Sequence, residues 1–117
     1  MRGNRRDANH NEIKKHFEKF GWTVKCVADL PGFCDLIVTK EGFTICIEVK
    51  DGSKPPSQRK LTADEKKFRK LWSDHGRYLI IQNIEEVELL SDDRSRTLLY
   101  FYFELYNKNL KEYGPPS

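Results

Sequence analysis

No long apolar run occurs in these 117 residues. The longest, Leu98 to Phe103, is far shorter than the ~20 residues a bilayer-spanning helix needs, so no membrane segment is expected. The basic start, MRGNRRDANHNE, is followed by no apolar stretch and does not read as a signal peptide. Cysteine is sparse. Cys26, Cys34 and Cys46 are odd in number and lack CxxC spacing, which argues against a disulfide scaffold and a thiolate zinc site. A reducing cytoplasm, bacterial or that of a phage-infected cell, is the expected location. Internal repeats and low-complexity tracts are absent, and nothing reads as a helix-turn-helix or zinc finger. What is present suits one globular domain with a single modest core: 38% hydrophobic, 12% aromatic and 33% charged residues.

The net charge of +3 is unevenly spread. Residues 1–25 carry seven basic and three acidic side chains, and residues 50–70 carry eight and three. Residues 26–49 between them hold one basic and four acidic groups. Residues 71–117 hold five and eight. Two basic segments that converge in the fold would make a phosphate-attracting surface; apart, they would be solvated helix faces.

Punctuation along the chain gives an element order. Asn9 with Glu12 three residues on reads as a capping box opening a helix over 9–20, with Ile13, Phe17 and Phe20 on one face and Gly21 as the stop. Strands are expected over 22–27, 34–39 and 43–50, the last two joined as a hairpin by Lys40-Glu41-Gly42. Residues 51–61 read as a loop stiffened by Pro55 and Pro56. Thr62-Ala-Asp-Glu65 is a second capping box, opening a helix to Asp74 with Phe68, Leu71 and Trp72 on one face. A buried strand over 77–82 and a short helix over 84–90 follow. The fold class is therefore α/β, in the order α-β-β-β-α-β-α, a mixed sheet flanked by helices. Residues 97–113 favour a helix whose aromatics suit either core packing or self-association.

Alternate residues of a strand share a face, so Glu48 and Lys50 point one way while Ile47 and Val49 point the other. The hairpin brings Asp35, at the start of one strand, near Glu48 and Lys50 at the end of the next. Taken alone, Glu48 and Lys50 are ordinary decoration of a half-exposed sheet. The Asp after a glycine turn and the basic loop that follows give them weight. Two carboxylates and an ammonium at one sheet end suit phosphodiester hydrolysis: the carboxylates would hold a hard divalent cation, and the lysine would act on the attacking water and the transition state. Cys46 shares the Glu48 face. His10 and His16 are candidate water activators, though more simply surface residues.

Gly32-Phe-Cys-Asp-Leu-Ile-Val, then Ile47-Glu-Val-Lys50 and the tract to Thr62, resembles the PD-(D/E)XK nuclease superfamily, and among its members the small stand-alone VRR-NUC proteins of phages and bacteria. Arg6 to Ile13 is similar to their first helix, and the resemblance covers residues 5–90. It implies a restriction-endonuclease-like core over 1–90; residues 91–117 have no counterpart in it and read as an aromatic-rich extension suited to dimerisation. It implies Asp35, Glu48 and the Val49 carbonyl as ligands of magnesium or manganese, Lys50 as the residue acting on water, and Glu12 as the helix carboxylate completing the site. Glu12 is equally explained as a helix cap. Cys34 stands where relatives of this kind carry proline before the Asp. Lys54, Ser57, Gln58, Arg59 and Lys60 would contact nucleic acid, and Lys66, Lys67, Arg69 and Lys70 would extend that patch. The expected activity is metal-dependent cleavage of DNA, directed by shape such as a junction, flap or nick, in a homodimer, with no nucleotide cofactor and no membrane partner. An accessory module with a degenerate site and a phage protein–protein interaction domain are the alternatives.

Overall fold

A computed structural model describes residues 8–92 and 98–116. Its elements are α1 (His10–Lys19), β1 (Thr23–Cys26), β2 (Leu36–Lys40), β3 (Phe43–Val49), α2 (Ala63–Ser73), β4 (Tyr78–Ile81), α3 (Ile84–Leu90) and α4 (Leu98–Tyr113). The four strands form one sheet in the order β1-β2-β3-β4. The first two pairings are antiparallel and the last is parallel. The expected α-β-β-β-α-β-α order runs through residue 90, and a fourth helix follows. No helix among the described residues is long and apolar enough to cross a membrane.

The β2–β3 hairpin turns on two residues, with Lys40 paired to Phe43. Glu41 and Gly42 sit at φ of 52° and 79°. Positive φ at both central positions is the twist that matches right-handed strands, and glycine adopts it freely. Parallel pairing of β3 with β4 requires a crossover, which the 51–61 loop and α2 supply.

Helices cover both faces of the sheet, as the flanked mixed sheet expected from sequence requires, so Glu48 and Lys50 do not decorate a half-exposed sheet. One face packs Leu36, Val38, Ile45, Ile47, Val49, Leu79 and Ile81 against Ile13, Phe17, Val87 and Leu90. The other packs Cys34, Cys46, Tyr78 and Ile80 against Leu61 and Phe68. Within α2 the inward stripe is Glu65, Phe68 and Arg69, whereas Leu71 and Trp72, expected on that face, are exposed. Leu71 is 68% exposed, because a 100° turn per residue swings it off that stripe.

The tail joins the same structure. Tyr102 and Leu105 lie in the first core cluster, while Tyr100 and Phe103 stay exposed. Helix α4 also closes the free edge of β4. Tyr102 Oη accepts from the Tyr78 amide at 3.3 Å. Asn109 accepts from the Ile80 amide at 2.8 Å and donates to the Ile80 carbonyl at 3.1 Å. A helix thus does for this edge what a further strand would do.

The capping box expected at α1 is absent, since Asn9 makes no side-chain cap. Its Nδ2 instead donates to the carbonyls of Lys50 at 3.1 Å and Gln82 at 3.0 Å. Those carbonyls end two neighbouring strands and need donors, and that demand outweighs a local cap. The box at Thr62 is present in full, with Thr62 Oγ1 accepting from the Glu65 amide and Glu65 Oε1 accepting from the Thr62 amide.

Candidate active site

The register of β2 and β3 places Asp35 beside the end of β3. The Asp35 amide donates to the Ile47 carbonyl at 3.0 Å. Its Oδ2 accepts from the Val49 amide at 2.8 Å. Asp35 is therefore fixed against the strand that carries Glu48 and Lys50.

Glu48 is 1% exposed, under α2 on the second face of the sheet. Tyr78 Oη donates to its Oε1 at 3.4 Å. Burial, then a hydrogen bond with Asp35 and the Asp35 charge, push the Glu48 carboxyl up to about 11. The Glu65 carboxylate adds to that push. At neutral pH Glu48 is thus protonated and has a proton to share with its acidic neighbours.

Lys50 is 8% exposed on the same face. Its Nζ donates to Glu65 Oε1 at 2.8 Å. Burial raises Glu65, but the Lys50 ammonium and the Thr62 amide outweigh it and hold the carboxyl below its ordinary range. The outcome is one neutral acid, one paired carboxylate, one ammonium and Asp35, all at the carboxyl end of β3.

Asp35, Glu48 and Lys50 are therefore brought together, as the hairpin argument requires. Glu12 is not placed in this group. It is exposed and lines a separate cleft with Asn9, Asp51, Ser53, Asn83 and Glu85. His10 is 2% exposed and lies 3.5 Å from Cys26 Sγ, and His16 pairs with Glu88 at 2.9 Å. Two participants were missed. Glu65 carries a sequence signal only as a cap, and one oxygen serves both the cap and Lys50. Tyr78 sits in an apolar strand, where its hydroxyl has no sequence mark.

The loop candidates divide in the same way. Ser57, Gln58 and Lys60 are exposed, and Lys54 is half-buried. Arg59 is a brace. Its Nε donates to the Lys54 carbonyl at 2.7 Å, and its Nη1 donates to Gln82 Oε1. The loop is pressed so close to β4 that a Cβ on Gly52 would meet the Gln82 carbonyl oxygen at 2.9 Å. Only glycine fits there. Arg69, assigned from sequence to a surface patch, is 5% exposed.

Oxygen donors crowded in this way suit a hard cation, which would offset the burial that chiefly keeps Glu48 protonated and the charge of its acidic neighbours. Asp35, Glu48 and the Val49 carbonyl are the residues that would hold it. Among the described residues no group of three or more His, Cys, Asp and Glu side chains stands ready to hold a metal. A site here would draw on two carboxylates plus backbone oxygen. Comparisons with protein-family models, with curated proteins and with solved structures each find no match.

Proposed function

We propose that this chain is a divalent-metal-dependent endonuclease of the PD-(D/E)XK kind, acting on DNA. The observation that carries the reading is Glu48: a carboxyl buried to 1%, held neutral beside Asp35, two residues from a buried lysine. Packing alone gives no reason for this. An apolar residue of similar volume would stabilise the same position, so the acid is retained at a cost. The four-strand mixed sheet with α1 on one face and α2 on the other is compatible with a restriction-endonuclease-like core.

In this reading a bound magnesium or manganese ion supplies charge neutralisation at the scissile phosphate and an acidified water. Asp35 and Glu48 would hold the ion. Lys50 places its ammonium where negative charge develops on the phosphate, which is worth most in a dry, pre-arranged site. Glu65 keeps that ammonium on one rotamer, and Tyr78 orients the Glu48 carboxyl. The exposed Ser57, Gln58 and Lys60 lie after the catalytic strand, where they would position the duplex through its phosphates.

The test is incubation with supercoiled plasmid, flaps and four-way junctions in manganese, magnesium or EDTA. Cutting is expected with metal and not with EDTA. Asp35→Ala and Lys50→Ala are each expected to slow it by about 100-fold or more while leaving the protein folded. Cutting that survives both substitutions would overturn the assignment. So would a folded wild type that cuts none of these DNAs.

A further inference from the structure

Arg69 is an anomaly. It is 5% exposed, yet among the described residues no carboxylate pairs with it. Its Nη2 donates to the Gly114 carbonyl at 2.8 Å. The titratable groups near it are the hydroxyls of Tyr78, Tyr106 and Tyr113, and burial pulls its guanidinium below the ordinary arginine range. A buried cation normally has a counter-ion, because desolvating a charge without one is costly.

This arginine lines a cleft of about 420 Å³ between α2 and residues 112–116. Lys60 and Lys66 stand in the same wall, and Tyr113 and Pro115 face them. The size is that of a small-ligand cleft. One acid, Glu112, also lines it. Its Oε1 accepts from Gln82 Nε2 at 2.8 Å, and its Oε2 lies 3.9 Å from Arg59. Glu112 is thus already engaged, and the cleft keeps a net positive charge.

We propose that this cleft seats a backbone phosphate of the nucleic-acid strand, with Arg69 as the buried counter-charge and Lys60 and Lys66 at its rim. The inference builds on the nuclease reading. Its position favours a nucleic-acid phosphate over another anion. Tyr78 donates to Glu48 and also neighbours Arg69, and Lys66 directly follows Glu65, the partner of Lys50. A strand crossing the candidate active site would therefore meet this cleft beside the site. The planar guanidinium suits phosphate geometry. The C-terminal segment then forms one wall of the substrate groove.

The experiment measures anisotropy of a labelled DNA of about 20 nucleotides in EDTA, where cutting plays no part. Lys60→Ala/Lys66→Ala is compared with Lys67→Ala/Lys70→Ala, which removes the same charge from α2 outside the cleft. The cleft pair is expected to weaken binding about 10-fold and to lower the salt slope by about one per lost phosphate contact. The outer pair should have much less effect. Glu112→Gln, which removes the one acid, should tighten binding. In parallel, inorganic phosphate titrated into isotope-labelled protein should shift the Arg69 side-chain and Gly114 amide resonances. Equal losses from both lysine pairs, no loss from the cleft pair, or no phosphate shift at Arg69 would each overturn the proposal. So would a polyglutamate peptide that binds more tightly than the DNA. Metal-dependent cutting with cleft-independent binding sinks this site alone, whereas cleft-dependent binding without cutting sinks the nuclease reading alone.

Discussion

The two faces of the sheet are built from alternate residues of the same strands, yet they hold different chemistry. Under α1 and α3, β3 contributes Ile45, Ile47 and Val49, all apolar and buried. Under α2 the same strand contributes Cys46 and Glu48, followed by Lys50, also buried. Burial therefore does not distinguish the faces. One is filled with groups that lose nothing on leaving water. The other contains groups that lose a great deal and are stabilised only by one another. Stability is concentrated on the first face and the candidate chemistry on the second.

That contrast can be broken from either side. The largest expected stability effect is Ile47→Ala on the apolar face. It should cost about 2–5 kcal/mol, read by urea unfolding, because Ile47 is fully buried in the main core. Lys50→Ala, three residues further on, should slow cutting by about 100-fold or more, and its stability cost should come from Glu65 losing its cation rather than from a core cavity. Folded Ile47→Ala that cuts as slowly as Lys50→Ala would show that the faces are not divided in this way.

A pH series sharpens the comparison. Glu48 titrates at about 11 in the folded protein and near the ordinary carboxyl value when unfolded. Between those values the native state holds the extra proton, so stability falls as pH rises. In EDTA the melting temperature should decline from about pH 5 towards pH 9, and Glu48→Gln should flatten that decline. An equal slope in both proteins would rule out Glu48 as its source.

The smallest effect is expected at Thr62. Thr62→Ala removes the cap on α2 and should cost about 1 kcal/mol. The Thr62 amide that donates to Glu65 Oε1 is backbone and survives the change, so Glu65 stays beside Lys50 and any nuclease activity should be little altered. A rate that falls with stability would show that the Thr62 hydroxyl, and not the backbone amide, holds the Glu65–Lys50 pair in place.

Much of the fold is legible from local rules. Glu41-Gly42 sets the hairpin, and Thr62 with Glu65 sets the start of α2. The strand alternation around Glu48 correctly assigns its face. The rule fails at Asn9, whose residue type fits a cap, because strand-end carbonyl groups distant in sequence take its amide. It fails again at Leu71 and Arg69, which exchange the exposure expected of them once α2 docks at one angle.

The sequence by itself determined the element order and brought Asp35, Glu48 and Lys50 to one end of the sheet. Turn chemistry and a two-residue period act over a few positions, and these three residues lie on one hairpin. Tertiary structure alone decided the rest. It buried Glu48 under α2, brought Glu65 and Tyr78 to it, set Glu12 in another cleft, and laid α4 along the β4 edge. These outcomes depend on how helices dock against a sheet, and docking is set by the summed fit of distant side chains rather than by any local pattern.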